Sequence, residues 1–308
     1  MADLGASILT KLKNKAKSTG KPYQQCIQLF FQEEFLRRLS KSQYAENLIL
    51  KGGLFIYTLT NFESRATVDI DFLLRRMDKD MQHMDEVIDE ILATPTGNNA
   101  IVILTAKKTE QISLHRKYPG VSTQIIGHIK NVRLPFDVDI GVGDIIVPKA
   151  QKRTVQPQLD GYDAPKILTY SLESTIAEKF DAILQRFELT GRMKDFYDIY
   201  YLSRTFDFDG RSLQEAIVQT FSNRGTSYDR DSFDRLAALV DDAEMRNKWR
   251  YFLRTIKGQE ISLLDVICAV DAFLRPVWNA IVNEKDFFGE WCASAAMWST
   301  GHKTLLTE

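Results

Sequence analysis

Cysteine is scarce in this sequence, and its placement excludes several kinds of site. The three cysteines in 308 residues, Cys26, Cys268 and Cys292, are far apart in the chain. An odd number of scattered cysteines favours reduced thiols in a cytosol over a disulfide framework. No pair has the short spacing of a zinc site. The sequence therefore predicts a cytoplasmic protein without structural disulfides or zinc.

Histidines and long apolar runs are also lacking. The four histidines, His83, His115, His128 and His302, are scattered, which argues against a histidine metal site or a Ser-His-Asp triad. No apolar run reaches the roughly 18 residues of a membrane span, and the N-terminus has no signal-peptide apolar region. We therefore expect no membrane partner. The net charge of −1 means that nucleic-acid binding would have to come from local patches.

Residues 51 to 72 carry the first chemical signal. Gly52-Gly53 follows an apolar strand-like run, and a pair of glycines before a helix lets backbone N–H groups approach a phosphate. Asp69 and Asp71 then occur at i and i+2 in a β-rich segment, so their side chains point to one side of a strand. Two such carboxylates repel unless a cation lies between them, and hard oxygen ligands suit Mg²⁺. Alone, the glycines also fit an ordinary turn and the acids a solvated strand face.

The order of these parts predicts a nucleoside triphosphate site. A further carboxylate strand follows at 132–140, with Asp137 and Asp139 on one side because they too are two residues apart. Periodicity leaves open which of the two faces the first pair.

The chain order predicts a sheet with helices, followed by helices alone. The lysine-rich residues 1–22 fit either a solvated first helix or an arm facing RNA. Apolar periodicity predicts a helix from Pro22 to Leu39. Residues 148–165, with three prolines, predict a linker and a boundary between domains 1–150 and 151–308. Strands are predicted at 48–50, 100–106, 110–116, 121–130 and 132–140, with the middle three connected by hairpins, and helices at 54–60, 78–93, 171–187, 192–204, 211–222, 230–257 and 260–283, the last of these ending close to Arg275-Pro276.

These motifs together resemble the nucleotidyltransferases of the polymerase β superfamily, and more closely the AbiEii/AbiGii toxin family. The segments that carry the resemblance are Lys51-Gly52-Gly53, Arg65 to Phe72, Asp139 to Asp144 (DIGVGD), Ala177-Glu178-Lys179 and Arg192 to Asp198 (RMKDFYD). The resemblance implies an α+β fold, with a mixed sheet, flanking helices and a helical C-terminal domain. The DIGVGD segment fits the family pattern and favours Asp139 as the third acid.

The resemblance also implies a set of site residues. The expected catalytic residues are Asp69, Asp71, Asp139, Lys179 and Asp195, and the first three of these are expected to bind Mg²⁺ or Mn²⁺. The expected nucleotide-binding residues are Lys51, Gly52, Gly53, Arg65, Arg192, Lys194 and Asp198. Many superfamily members have serine where this chain has Gly53, which here leaves only backbone donors. Asp195 is expected either to orient Lys179 or Arg192 or to act as a base. Without the resemblance, RMKDFYD also fits a solvated helix face with salt bridges.

The resemblance implies the toxin of a type IV-like toxin–antitoxin or abortive-infection system, with a winged-helix antitoxin. The expected reaction transfers a nucleotide from a nucleoside triphosphate to RNA, with the tRNA 3′ end as the expected acceptor. One alternative is an antibiotic-type small-molecule nucleotidyltransferase, and another is a GTP- or NTP-binding protein acting through a partner. Cations interleaved with aromatic residues in the C-terminal half fit either an RNA surface or a solvated bundle. They are Arg204, Arg211, Arg224, Arg230, Arg235, Arg246, Lys248, Arg250, Arg254 and Lys257, with Tyr228, Trp249 and Tyr251.

Overall fold

A computed structural model describes residues 3–77, 80–112, 120–186, 192–256 and 260–300. The chain divides into two compact units. Unit 1 comprises Met1–Gly143 and Ala150–Tyr170, and unit 2 comprises Asp144–Lys149 and Ser171–Glu308. His115, Lys257, His302 and the end of the predicted strand 110–116 lie outside the described residues.

Unit 1 is built on a seven-stranded mixed sheet. Its elements are α1 (Leu4–Thr19), α2 (Tyr23–Lys41), β1 (Leu48–Lys51), α3 (Gly52–Leu59), β2 (Ile70–Leu74), α4 (Met81–Ala93), β3 (Ile103–Ile112), β4 (Gly120–Ile129), β5 (Val132–Gly141), β6 (Gln151–Thr154) and β7 (Lys166–Thr169). The strand order is β3-β4-β5-β2-β1-β7-β6. β2 runs parallel to β5, and β1 runs parallel to β7. This mixed sheet confirms the predicted fold class.

The apolar stripe of α2 packs on the strands that carry the acids. Phe35 is fully buried, and its ring lies 6.0 Å from that of Phe72 on β2 and 6.5 Å from that of Phe136 on β5. Gly127 on β4 makes room for Phe31, because a Cβ there would lie 2.3 Å from the Phe31 ring. Burying each large apolar side chain contributes about 1.5–3 kcal/mol. The predicted amphipathic helix thus packs on the apolar face of β2 and β5.

One strand prediction and the linker prediction for unit 1 are wrong. The runs 100–106 and 110–116 do not form two hairpin-connected strands, because β3 continues through the polar residues between them and pairs along β4, with a bulge near Ala106. The predicted linker 148–165 contains β6, which pairs with β7. β6 lies at the sheet edge, where a short polar strand needs no apolar alternation. Its sequence therefore carries no strand signal.

A buried group of charges lies on α2 beneath the sheet. Glu33, Glu34, Arg37 and Arg38 are all buried, and Arg37 Nε donates to Glu34 Oε2 at 2.9 Å. Glu33 is more weakly paired. Its Oε2 is 3.7 Å from Arg37 Nη1, and its Oε1 accepts from the backbone N–H of Gln158 at 2.9 Å. Burial raises the pKa of Glu33 to about 7, although Arg37 opposes the rise.

This environment predicts that Glu33→Gln changes how stability depends on pH. A carboxyl whose folded pKa lies above its unfolded value of 4.5 stabilises the fold at low pH, and this contribution is lost as the pH rises through about 7. Relative to wild type, the variant should therefore gain up to about 3 kcal/mol of unfolding free energy between pH 4.5 and 8. Urea denaturation at both pH values measures this difference. A constant difference would show that Glu33 titrates normally in the fold.

Unit 2 is mainly helical. Its elements are α5 (Leu172–Arg186), α6 (Met193–Thr205), β8 (Phe208–Asp209), α7 (Gly210–Arg224), α8 (Ser232–Ala238), a 3₁₀ turn (Leu239–Asp241), α9 (Ala243–Ile256), α10 (Leu263–Val282), β9 (Gly289–Cys292) and β10 (Met297–Thr300). The three short strands form their own sheet in the order β10-β9-β8, which the sequence did not predict. No helix in the described ranges is long and apolar enough to cross a membrane.

Two helix predictions for unit 2 are corrected. The segment 230–257 is not one helix, because Asp242 caps a new helix by accepting from the N–H groups of Glu244 and Met245 at 2.6 and 3.2 Å. The helix predicted at 260–283 is α10, which agrees closely with these bounds, but its predicted end near Arg275-Pro276 is wrong because the helix continues through the proline to Val282. Val277 and Trp278 are buried in the core just beyond the proline, and this burial offsets the roughly 3 kcal/mol cost of an interior proline.

Candidate functional site

Gly52 lies directly against the side chain of Asp71 in unit 1. Lys51 lies opposite Asp71 in the β1–β2 ladder, and the next residue, Gly52, has φ of +67°. A Cβ on Gly52 would lie 2.0 Å from Asp71 Oδ2. Only glycine fits there, because any other residue would meet both the carboxylate and an unfavourable backbone conformation. The amino end of α3 therefore begins directly beside the Asp71 carboxylate.

The strand register sets Asp71 beside Asp139. On the parallel strands β2 and β5, Ile70 is level with Val138, and Asp71 is level with Asp139. Ile70 and Val138 are fully buried, whereas the two acids are half-buried and point to the other face. Neighbouring strands lie about 4.8 Å apart, so two carboxylates at one level repel strongly unless a cation reaches them. This register supports Asp139 over Asp137 as the third acid.

Two further contacts hold this arrangement, and sequence reasoning missed both. Ser122 on β4 donates its hydroxyl to Asp139 Oδ1 at 2.5 Å. Gln28 and Gln32 on α2 donate to the carbonyl oxygen of Val68, at 2.9 and 2.7 Å, which positions the chain just before Asp69. Asp69 itself is half-buried and precedes β2 by one residue. These partners are distant in sequence, so no local motif indicates them.

The donor set fits a hard divalent cation held partly by substrate. Carboxylate oxygens are the ligands that Mg²⁺ prefers, and proteins often supply only one or two of them while nucleotide phosphates supply others. Among the described residues, no group of three or more Asp, Glu, His or Cys side chains is arranged to hold an ion without substrate. The metal set of Asp69, Asp71 and Asp139 therefore stays a prediction.

Gly53 and Arg65 precede Asp69 and Asp71 in the chain. Gly53 is buried, and a Cβ there would lie 2.9 Å from both Cβ and Oγ1 of Thr67. Thr67 thus fills the space that a larger residue at position 53 would need. Arg65 is half-buried in the segment between α3 and β2. Lys51 holds its ammonium group 5.2 Å from the centre of the Tyr170 ring.

Unit 2 brings several predicted site residues into one ion cluster. Lys179 on α5 places Nζ 3.1 Å from Asp195 Oδ1 and 2.6 Å from Asp198 Oδ2 on α6. Arg192, at the start of α6, approaches Asp195 Oδ2 at 3.2 Å. Asp195 and Asp198 are almost completely buried, and Arg192 is 32% exposed. Asp195 accepts from both cations, a geometry that supports an orienting role over a role as base. Lys194 is exposed on α6 outside this cluster.

A second cluster joins two of the quoted motifs through Arg224. Its guanidinium group contacts Asp144 at 2.9 Å, Glu178 at 3.1 Å and Asp181 at 3.0 Å. Burial opposes the charge, but Glu178, Asp144 and Asp181 together raise the pKa of Arg224 above its ordinary value. The sequence left open whether Arg224 belongs to an RNA-binding surface. Its burial among these acids excludes that role. Arg224 ties α7 to the DIGVGD and AEK segments.

Comparison with known proteins identifies the family of this chain. The family model described as nucleotidyl transferase AbiEii toxin, type IV toxin–antitoxin system, matches residues 34–282. The chain belongs to this AbiEii toxin family. The family prediction and the predicted nucleotidyltransferase activity are confirmed. As an AbiEii-family protein, the chain is a toxin nucleotidyltransferase of a toxin–antitoxin system. The family implies a nucleoside triphosphate substrate, a divalent metal in general and an antitoxin partner.

Solved structures share the fold of this AbiEii toxin. The nucleotidyltransferase toxin MenT4 from Mycobacterium tuberculosis H37Rv is similar over 89% of this chain and 99% of its own, with 16% identity and a TM-score of 0.51. JHP933 from Helicobacter pylori is similar over 85% of this chain and 94% of its own, with 13% identity and a TM-score of 0.50. At these identities the likeness concerns the fold. A search of curated proteins finds no match.

Proposed function

We propose that this toxin transfers a nucleotide from a nucleoside triphosphate to the 3′ end of tRNA, with Mg²⁺ as the metal. The observation that carries the proposal is the register of Asp71 beside Asp139, with the α3 amino end against Asp71. In the reaction, an acceptor hydroxyl oxygen forms a bond to the α-phosphorus. The bond from that phosphorus to the leaving oxygen breaks, pyrophosphate departs, and the hydroxyl proton passes to a base or solvent.

Residues of unit 1 hold the reacting groups in this proposal. Asp69, Asp71 and Asp139 would hold the metal, whose charge stabilises the attacking and leaving oxygens when it is bound. The backbone around Gly52 and Gly53 binds triphosphate oxygens at the positive end of α3. Ser122 restrains the orientation of the Asp139 carboxylate, because its hydroxyl donates to one carboxylate oxygen. Lys51, the residue before α3, adds positive charge at this end of the helix, and the proposal keeps Arg65 as a further phosphate contact.

The proposal also assigns phosphate-binding roles to residues of unit 2, on the basis of family resemblance. Charge accumulates on the departing pyrophosphate, so cations stabilise it. In this proposal Arg192, Lys179 and Lys194 donate hydrogen bonds to phosphate oxygens. Asp195 orients Lys179 and Arg192, and Asp198 shares the Lys179 ammonium. Arginine can grip two phosphate oxygens at once, which suits the 32% exposed Arg192. The proposal also includes a winged-helix antitoxin, on the basis of family resemblance, and a cytoplasmic site of action, because tRNA is the acceptor.

The test incubates purified protein and Mg²⁺ with each of the four α-labelled nucleoside triphosphates and total bacterial tRNA. Wild type should label tRNA with at least one nucleotide, whereas Asp69→Ala should leave the label at background. The label should map to the 3′-terminal nucleotide after nuclease digestion. Parallel reactions without metal, and with Mn²⁺ in place of Mg²⁺, measure the metal requirement.

The alternatives predict different products. Label on an added aminoglycoside, with none on tRNA, would identify a small-molecule nucleotidyltransferase. Nucleotide binding without any transfer, together with unchanged toxicity of Asp69→Ala, would identify a nucleotide-binding protein that acts through its partner. Either result contradicts the proposed reaction.

A further inference from the structure

The structure sorts the cations of the C-terminal half into two groups. Many of the arginines are held by acids. Arg224 is buried in its carboxylate cluster, and the other ion pairs are Arg211 with Asp286, Arg235 with Asp229, and Arg275 with Asp234 and Asp271. Their charges are neutralised locally, so these residues form no cationic surface.

The outer face of α9 belongs to the other group. Arg246, Arg250 and Arg254 are exposed and recur every four residues, so they form a stripe along the helix. Residues 245–256 contain four cations and no Asp or Glu. Within the described part of the chain, no acid pairs with the three arginines. Arg246 donates to the carbonyl oxygen of Val240 at 2.8 Å, and Arg250 donates to Asn247.

The nearby acids lie at one end of this helix. Asp241, Asp242 and Glu244 precede the stripe or occupy the first turn, where negative charge suits the helix dipole. Glu244 also pairs with Lys248 at 2.7 Å. Arginines four residues apart repel one another on a helix, so the stripe weakens the helix unless an anion binds there. A merely solvated helix would gain from alternating signs.

The inner face of α9 fixes which side faces outward. Met245, Trp249 and Leu253 are buried along it, and Trp249 Nε1 donates to the carbonyl oxygen of Ile261 at 2.8 Å. The Tyr197 ring on α6 lies 6.5 Å from the Trp249 ring and 5.7 Å from that of Phe252. The helix therefore cannot rotate without breaking this packing, and its arginines are held towards solvent.

Tyr251 adds an exposed aromatic ring beside the arginines. It is 74% exposed, more than any other large apolar or aromatic residue in the described structure. An exposed ring next to cations is typical of surfaces that stack on unpaired bases, since every base has a π-face. Four residues of helix rise about 6 Å, comparable to the spacing of successive phosphates along one strand.

We propose that Arg250, Tyr251 and Arg254 on the outer face of α9 bind the RNA acceptor. The two arginines contact backbone phosphates, and Tyr251 stacks on an unpaired base. This inference rests on the proposed function for the identity of the acceptor, although the binding does not require the transfer reaction. The cations would suit either RNA or an acidic protein partner. The exposed ring favours RNA, because it can stack on a base.

The test measures the affinity for total bacterial tRNA at several salt concentrations, without nucleotide or metal. The affinity log K falls with log salt concentration, and each lost phosphate contact makes this slope shallower by about 0.7–0.9. The double variant Arg250→Gln with Arg254→Gln should therefore have a slope shallower by about 1.5. Lys107→Gln with Arg133→Gln removes the same charge from exposed positions in unit 1 and should leave the slope unchanged. Tyr251→Ala should weaken binding about tenfold, whereas Tyr251→Phe should keep it.

The outcomes separate this inference from the proposed reaction. Asp69→Ala should bind tRNA like wild type while it transfers nothing, so failure of transfer alone leaves the α9 surface intact. Equal slopes for the α9 variant and its control would overturn the proposal. So would unchanged tRNA affinity accompanied by loss of antitoxin binding, which would assign the surface to the protein partner.

Discussion

Replacing Asp139 by asparagine is expected to lower the rate of nucleotide transfer about 1000-fold. The register sets Asp139 level with Asp71, and in the proposed site its carboxylate would supply one of the three negative charges that hold the metal. A loss of about 4 kcal/mol of transition-state stabilisation corresponds to that factor. Single-turnover transfer of labelled nucleotide to tRNA measures the effect. The fold should not suffer, since the substitution removes repulsion between neighbouring carboxylates.

Asp137→Asn is the matched control for this prediction. Asp137 is a half-buried acid on the same strand and the same face, two residues before Asp139. Its partner on β4 is Gln124, whereas Asp139 faces Ser122. The control should retain transfer within about tenfold of wild type, with the same thermal midpoint. Loss of activity in Asp137→Asn, with activity kept in Asp139→Asn, would assign the third acid to position 137.

Replacing Lys179 by methionine should destabilise the protein by about 3–5 kcal/mol, because it removes the cation that two buried carboxylates share. Lys179 lies 3.1 Å from Asp195 and 2.6 Å from Asp198, and all three side chains are nearly inaccessible to solvent. Transfer should also fall, since the oriented cation is lost from the phosphate site. Urea denaturation gives the change in unfolding free energy, and transfer is measured at a temperature where the variant remains folded.

Two further variants separate the structural effect from the catalytic one. Lys194→Met removes an exposed lysine of the same motif, so its unfolding free energy should stay within about 0.5 kcal/mol of wild type. Adding Asp198→Asn to Lys179→Met should restore part of the lost stability, because it neutralises one of the two buried carboxylates that shared the lysine, but should not restore transfer. Full recovery of transfer in the double variant would mean that Lys179 has only a structural role.

Much of the site was accessible from local patterns. The glycine pair, the Asp-x-Asp segment and the DIGVGD and RMKDFYD segments each predict chemistry from a few adjacent residues. Their order along the chain indicated the family, which the family match confirms. Helices such as α2 and α5 were predictable because their apolar residues recur with the helical period. The clustering of Lys179 with Asp195 followed from predicting consecutive helices.

Other features had no local signal. β6 is a short polar edge strand, and β3 runs through a polar stretch that reads as a break. Both exist because a neighbouring strand pairs with their backbones. Ser122, Gln28 and Gln32 contact the site from distant positions in the chain, so periodicity says nothing of them. Arg224 is indistinguishable in sequence from the exposed arginines of α9, although it is buried among three acids.

The sequence by itself determined the residue types of the site, their order and the helices that flank the sheet, because these depend on short-range periodicity and on motif chemistry. Only the tertiary structure decided which acid lies beside Asp71, which glycine touches a carboxylate and which arginines remain on the surface. Strand register and burial depend on contacts between residues far apart in the chain, and such contacts are set by the packing of the whole unit.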